Sequence, residues 1–132
     1  LRAGLVQTLS PLISDAVICG INAEYLAALV WLNRAAAERH FDRELPTAAD
    51  ALANDPELRS YISNVIGENN RRNPGSSTRI QRIAFLNEPP SIDSHEISDK
   101  GTVNQSVALR RRASDVERLY SETPNNFVIV LD

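Results

Sequence analysis

Lys100 is the only lysine in the chain, and it lies in an Asp99-Lys100-Gly101 sequence ahead of a predicted helix. An ammonium is a compact point charge and a guanidinium is a planar fork, so the two are not interchangeable where a point charge must meet a phosphate or a carboxylate. Gly101 permits a positive φ, and Asp99 is a typical turn residue. Lys100 is therefore the first candidate for chemistry. The alternative is an ordinary solvated charge, since lysine is usually exposed.

A second candidate is the run Asp93-Ser94-His95-Glu96, which contains a nucleophile, a base and two acids. Contiguous residues seldom supply the geometry of a catalytic triad, which is assembled from distant parts of a chain. We therefore interpret Ser94 and His95 as polar loop residues and do not predict a hydrolase. His40 and His95 have no cysteine or histidine partner at metal-ligand spacing, so the sequence predicts no metal site.

Three consecutive arginines, Arg110-Arg111-Arg112, could contact a phosphate group or a nucleic acid. The alternative, which the acidic net charge favours, is a solvated helix face on which Arg111 pairs with Asp115 four residues later. Cys19 lies in an apolar run, where a cysteine usually behaves as a small buried hydrophobic residue rather than as a reactive thiol.

Length, net charge and composition limit the class of protein to which the chain can belong. The chain has 132 residues, a formal net charge of −3 and 42% hydrophobic residues. This length suits a single domain, 1–132, and the composition argues against disorder and against a nucleic-acid-binding protein. One cysteine excludes an internal disulfide, and no stretch approaches the ~20 apolar residues of a membrane-spanning helix. We therefore expect a cytoplasmic protein.

Helical spacing and capping residues predict five helices. Three of them cover 1–12, where Pro11 ends the helix, 33–40, and 48–53 with Thr47 as N-cap. Asp55-Pro56 predicts the start of the clearest helix, whose apolar residues follow helical spacing up to residue 66.

The last predicted helix begins after Asn104, a favourable N-cap residue. One continuous helix is expected from there, with a single apolar face formed by Leu109, Ala113, Val116 and Tyr120.

Four apolar runs of strand length lie at 16–19, 25–32, 79–86 and 127–131. The first two flank a glycine-containing turn and predict a hairpin near the centre of a sheet, and the last run predicts an edge strand. The fold class is therefore α+β, a small β-sheet packed by helices.

A dense motif covers about thirty residues from Glu88 onward. It consists of Pro89-Pro90-Ser91-Ile92-Asp93, then Glu96-Ile97-Ser98-Asp99-Lys100-Gly101-Thr102-Val103-Asn104-Gln105, then Arg111-Arg112 and Leu119-Tyr120. This motif resembles the C-terminal end of the feruloyl-CoA synthases, a branch of the acyl- and aryl-CoA synthetases in the adenylate-forming superfamily. Thr102 replaces an aromatic residue of that pattern, and Ser106 replaces an arginine. The first thirty residues are more loosely similar.

The resemblance implies the fold of a C-terminal lid domain, a role for Lys100 and a set of partners. In the family the equivalent lysine enters the active site of a large N-terminal domain and neutralises carboxylate and α-phosphate oxygens as an acyl-adenylate forms. The implied enzyme is an acid:CoA ligase that uses ATP, Mg²⁺ and CoA, with the N-terminal adenylation domain of the same polypeptide as partner. Arg111 and Arg112 then become candidates for contact with a phosphate of CoA.

The chain contains no methionine, and we expect it to be a fragment of such an enzyme. Alone, it is expected to bind none of these cofactors and to be inactive. It is also expected to expose an apolar patch that favours a homodimer. The alternative is a free-standing protein-interaction module without catalytic activity.

Overall fold

The computed structural model describes residues 2–20, 25–72, 79–86, 88–121 and 128–131, and these ranges form a four-stranded sheet and six helices. The strands are β1 (Ile13–Cys19), β2 (Leu26–Leu32), β3 (Ile80–Phe85) and β4 (Val128–Val130). The helices are α1 (Arg2–Leu9), α2 (Arg34–Phe41), α3 (Ala49–Asn54), α4 (Pro56–Arg72), α5 (Gln105–Arg111) and α6 (Ala113–Leu119). The predicted α+β class, a small sheet packed by helices, is confirmed.

The sheet has the order β1-β2-β3-β4 and is mixed. The β1–β2 pair is antiparallel, as the predicted hairpin requires, while β3 runs parallel to β2 and β4 runs antiparallel to β3. Because β3 pairs with the far side of β2, the predicted central position is right for β2 and wrong for β1, which lies at an edge. The predicted edge strand is confirmed at β4. The hairpin turn at 21–24 and Phe127 lie outside the described residues.

The core is built around β2. Every residue from Leu26 to Trp31 is buried. Because successive side chains of a strand point to opposite faces, such a strand must be covered on both sides. Helix α1 packs against β1, α3 against β3, and α6 against both β2 and β3. None of the helices in the described ranges has the length and apolar character that crossing a bilayer requires.

The starts of α2 and α4 agree with the sequence, and the start of α3 differs. Asn33 caps α2 by accepting a hydrogen bond from the amide of Ala36 at 3.3 Å, and Asp55 accepts one from the amide of Leu58 at 3.1 Å. The predicted N-cap role of Thr47 is wrong, because the N-cap residue of α3 is Ala48, whose side chain makes no capping hydrogen bond.

The predicted continuous helix after Asn104 is two helices. Asn104 caps α5 as predicted, but Arg112 leaves helical geometry with φ −105° and ψ 26°, and α6 begins after it. The predicted apolar face is largely confirmed, since Leu109, Val116 and Tyr120 pack against the core. Ala113, which the sequence placed on that face, is exposed, and Ala108 and Leu119 are buried.

Few large apolar side chains are exposed. Within the described ranges they are Ile92 and Val130, with 76% and 49% of their surface exposed, and the two lie in different elements. The expected apolar patch and homodimer therefore stay predictions.

Candidate functional site

Lys100 lies at the tip of a small hairpin, residues 96–104, which we call the Lys100 hairpin. The amide of Ser98 donates to the carbonyl of Thr102 at 2.7 Å, and the two hydroxyl groups lie 3.1 Å apart. The amide of Gly101 donates back to the carbonyl of Ser98 at 2.9 Å and closes the turn. Lys100 is exposed, so a tight backbone turn presents a solvent-facing ammonium group.

The turn residues adopt the conformation that their types predict. Gly101 has a φ of 83°, which confirms the expected positive value, and Asp99 is an exposed turn residue. A Cβ atom on residue 101 would meet nothing within 4 Å. Glycine is therefore required here for its backbone conformation and not for space.

The base of the hairpin is attached to β1. An antiparallel bridge joins Ile97 and Val103, and the amide of Val103 donates to Oδ2 of Asp15 at 3.0 Å. The other oxygen of Asp15 accepts a hydrogen bond from Arg2 at 2.6 Å. Asp15 thus links α1, β1 and the Lys100 hairpin.

Gln105, the first residue of α5, covers the outer edge of β1. Its side-chain oxygen accepts from the amide of Ile18 at 2.9 Å, and its side-chain nitrogen donates to the carbonyl of Ala16 at 2.9 Å. These two bonds reproduce the pairing that a neighbouring strand would make, so they satisfy part of an otherwise open sheet edge.

The second attachment of the hairpin is a buried carboxylate. The side chain of Glu96 has no solvent exposure and accepts hydrogen bonds from the amide of Ser91 at 2.8 Å and from Arg111 at 2.7 Å. Arg112 adds two more, from Nε at 3.1 Å and from Nη2 at 3.2 Å. We call these four residues the Glu96 cluster.

The Glu96 cluster corrects the favoured interpretation of the arginine run. Arg112 has only 7% of its side chain exposed, so it does not belong to a solvated helix face. Arg111 pairs with Glu96 and not with the predicted Asp115. A carboxylate fifteen or sixteen residues away in sequence binds both guanidinium groups, and helical spacing gives no indication of such a pair.

Electrostatics keep Glu96 ionised. Burial alone would raise its pKa, but the hydrogen bonds from Arg112 and from the amide of Ser91 oppose burial. Together with the positive charges of Arg112 and Arg111, they hold the pKa of Glu96 below its ordinary value. The cluster therefore contains a carboxylate and two guanidinium groups, all charged at neutral pH.

Arg112 connects the cluster to the central sheet. Its guanidinium lies over the ring of Trp31 on β2, with 5.5 Å between the guanidinium carbon and the ring centroid. Nη2 also donates to the carbonyls of Glu88 and Pro89, each at 3.3 Å. Trp31 donates from Nε1 to the same carbonyl of Glu88 at 2.6 Å. Sheet, arginine and hairpin thus form one connected network.

Beside the Glu96 cluster lies a groove of about 490 Å³. Its lining includes three arginines and three acidic residues, namely Arg111, Arg112, Arg118, Asp50, Glu88 and Asp115. The charges are balanced, so the groove by itself has no net preference for an anion.

The other candidate groups are not assembled into a site. Ser94 and His95 are exposed, and Cys19 is buried. His40 packs against two aromatic rings. No group of three or more His, Cys, Asp or Glu residues that could hold a metal ion is found among the described residues.

Sequence reasoning named Lys100, Asp99, Gly101, Arg111 and Arg112, but it missed the residues that hold the hairpin in place. No anchoring role was predicted for Asp15 or Gln105, and Glu96 was considered only as an acid in the run of residues 93–96 and as part of the motif. The bonds that attach the hairpin join residues between 15 and 89 positions apart in the chain.

Comparison with known proteins identifies the fold. Residues 3–124 match the family model described as the AMP-binding enzyme C-terminal domain. The chain is 28% identical over 115 residues to the long-chain-fatty-acid–CoA ligase FadD15 of Mycobacterium tuberculosis, and the Mycobacterium bovis protein of the same name matches equally. These alignments cover 85% of this chain and 19% of each relative, so the chain spans less than a fifth of their length.

Solved structures show the same architecture. The A-PCP didomain of carboxylic acid reductase from Segniliparus rugosus, solved in complex with AMP, superposes with a TM-score of 0.60 at 20% identity, over 90% of this chain and 16% of that chain. The A domain of the same enzyme, in complex with AMP and a co-purified carboxylic acid, gives a TM-score of 0.59 at 20% identity. This superposition covers 90% of this chain and 18% of that chain.

The fold is that of the small C-terminal domain of an adenylate-forming enzyme. The chain belongs to the family of AMP-binding enzyme C-terminal domains. The predicted superfamily is thus confirmed, and the finer resemblance to feruloyl-CoA synthases stays a prediction.

Proposed function

We propose that this chain is the C-terminal domain of an ATP-dependent acid:CoA ligase. Such an enzyme activates a carboxylic acid as an acyl-adenylate and then transfers the acyl group to CoA. The observation that carries the proposal is the position of Lys100, an exposed ammonium group at the tip of a hairpin anchored at two points. Family membership supports the ligase over the free-standing interaction module.

The chemistry assigned to Lys100 is the role that the family resemblance implies, and the charge and exposure of Lys100 support it. Adenylation brings a carboxylate close to the α-phosphate of ATP, and the reaction develops further negative charge on the phosphate oxygens. A preorganised ammonium lowers the energy of that arrangement. Because Lys100 is exposed at the hairpin tip, its ammonium group is accessible to an active site on a neighbouring adenylation domain, which is the proposed partner.

The proposed substrate is a feruloyl-type aromatic acid, after the resemblance of the 88–120 motif. The name of the mycobacterial relatives points to long-chain fatty acids as the competing class. ATP and CoA are co-substrates. The described residues offer no group that fits Mg²⁺, so we assign its binding to the adenylation domain.

Of the two candidates for contact with a CoA phosphate, Arg111 and Arg112, we retain Arg111. Arg112 is buried against Glu96 and Trp31, whereas Arg111 keeps 35% of its side chain exposed and lines the groove.

Lys100→Ala in the full-length polypeptide tests the proposal. We expect acyl-adenylate formation to slow by about 10²–10³-fold, the usual cost of losing one preorganised electrostatic contact. Thioester formation from supplied acyl-adenylate should stay nearly unchanged. Lys100→Arg should restore little activity, because a planar fork does not replace a compact charge.

The assay follows pyrophosphate release and thioester formation separately, with feruloyl-type and long-chain fatty acids compared as substrates. The 132-residue chain alone should release no pyrophosphate. Equal loss in both half-reactions, or loss in neither, would contradict the assignment of Lys100.

A further inference from the structure

We infer that Glu96 is the positioning residue that sets the orientation of the Lys100 hairpin, and thereby the place of the Lys100 ammonium during adenylation. This inference rests on the proposed role of Lys100. The juxtaposition that carries it is a fully buried carboxylate at the base of the hairpin, bound by two arginines of the α5–α6 junction.

The backbone of Glu96 closes two turns at once. Its amide donates to the carbonyl of Ser91 at 2.9 Å, and its carbonyl accepts from the amide of Asn104 at 2.7 Å. The first bond closes the 91–96 turn and the second closes the base of the Lys100 hairpin. A change in the position of residue 96 therefore moves both ends of the segment that carries the lysine.

The side chain of Glu96 connects this base to the rigid part of the fold. Arg112 binds the carboxylate on one side and lies over Trp31 of the central strand β2 on the other. Among the residues that the structure describes, the tip of the hairpin has no comparable link, since Lys100 and Gly101 are both exposed. The orientation of the tip is thus set at its base.

The backbone before Glu96 supports the same conclusion. His95 has a φ of 61°, in the left-handed region that non-glycine residues rarely occupy. Such a conformation persists only where surrounding contacts enforce it. The contacts on the next residue, the four hydrogen bonds to the Glu96 carboxylate, are the ones that turn this side chain inward.

Glu96→Gln tests the inference because it keeps the size of the side chain and removes its charge. The amide NH₂ would face donors from Arg111, Arg112 or Ser91, so at least one bond is lost. In the 132-residue chain we expect amide hydrogen exchange at Gly101 and Val103 to accelerate by about tenfold or more. Exchange in β2 should change much less, which separates loss of hairpin order from global destabilisation.

In the full-length polypeptide, Glu96→Gln should slow adenylation by about tenfold or more, since a small displacement of a catalytic group costs up to about a hundredfold. We expect the KM values for ATP and acid to stay within about twofold, because Glu96 would act on adenylation through Lys100 alone. The thioester half-reaction should slow less than adenylation, because Arg111, the proposed contact with CoA, loses one hydrogen-bond partner but keeps its own charge. Glu96→Asp keeps the negative charge but shortens the side chain by one methylene group, so adenylation should slow less than in Glu96→Gln. If Glu96→Gln does not fold, the same measurements on Glu96→Asp test the inference.

Asp55→Asn is the matched control. Asp55 is also a buried carboxylate held by an arginine, but its partners, Arg43 after α2 and Leu58 in α4, do not belong to the hairpin. The Asp55→Asn variant should lower the free energy of unfolding without a selective effect on adenylation.

Unchanged hairpin exchange in Glu96→Gln, or equal losses in both half-reactions matching those of Asp55→Asn, would overturn the inference. If Lys100→Ala leaves adenylation intact, the proposed function fails while the exchange measurement still decides whether Glu96 orders the hairpin. If Lys100→Ala slows acyl-adenylate formation and Glu96→Gln does not, the proposed function stands and only the positioning role of Glu96 fails.

Discussion

The side chain of Tyr120 occupies the space that a Cβ atom on residue 20 would need. Gly20 has a φ of 91°, and a Cβ there would overlap the Tyr120 hydroxyl and lie 2.5 Å from the carbonyl oxygen of Tyr25. The hydroxyl donates to that same carbonyl at 3.0 Å. The end of α6 is therefore fastened to the β1–β2 hairpin at a point where only glycine fits.

Gly20→Ala should destabilise the fold strongly. Overpacking and an unfavourable φ act together, and we expect a loss of about 3 kcal/mol or more in the free energy of unfolding. Gly101→Ala is the matched control, since Gly101 also has a positive φ but open space around it. That variant should lose about 1–2 kcal/mol from the backbone conformation alone.

Urea unfolding, followed by the fluorescence of the single tryptophan Trp31, measures both losses. Adding Tyr120→Phe to Gly20→Ala should restore only part of the stability, because the carbonyl of Tyr25 remains too close. Equal losses for the two glycine variants would show that the contact with Tyr120 is not made in solution.

Acid should weaken the fold through two buried carboxylates. Burial opposes the ionisation of Asp55 as it does that of Glu96, but hydrogen bonds from Arg43 and from the amide of Leu58 keep the pKa of Asp55 below its ordinary value of 3.8. For Glu96 the ordinary value is 4.5. Because folding lowers both pKa values, the ionised groups stabilise the fold above those values, and this stabilisation is lost as the pH falls through the folded-state values.

We therefore expect the free energy of unfolding to fall below about pH 5. In Glu96→Gln and in Asp55→Asn the fall should be shallower, since each variant removes one titrating group. Urea titrations of Trp31 fluorescence between about pH 3 and about pH 7 measure this dependence. A slope in Glu96→Gln as steep as in the parent chain would mean that Glu96 has an ordinary pKa in the folded state.

Cys19 should be inert while the chain is folded. Burial raises the pKa of its thiol to about 12, and only a hydrogen bond involving the backbone of Leu29 acts in the opposite direction. Because the thiolate is the reactive form, a thiol reagent at neutral pH should label Cys19 only when the chain unfolds. Labelling followed by mass spectrometry should show a rate that rises with urea in parallel with unfolding. Fast labelling in the absence of urea would contradict the burial of β1.

Local patterns in the sequence predicted the local structure. The Asp55-Pro56 start and the apolar spacing predicted α4, Asn33 and Asn104 predicted two helix caps, and Gly101 predicted a positive φ. Each of these depends on residues within one or two helical turns, so neighbouring side chains and backbone amides suffice to determine them.

Long-range contacts decided the rest. The continuous helix predicted after Asn104 breaks at Arg112, where Glu96 and Trp31 hold the guanidinium. The place of β1 at the sheet edge follows from the parallel pairing of β2 with β3, across a connection of three helices.

The sequence by itself determined the superfamily, most of the helix and strand segments and the lysine at the turn. Tertiary structure alone decided that a charged residue, Glu96, is buried and that two arginines neutralise it. The physical reason is that burial of a charge is favourable only when its partners are already in place. Those partners, Arg111 and Arg112, lie at the α5–α6 junction, outside the turn that contains Glu96. The spacing of residues around Glu96 therefore does not predict that they bind it.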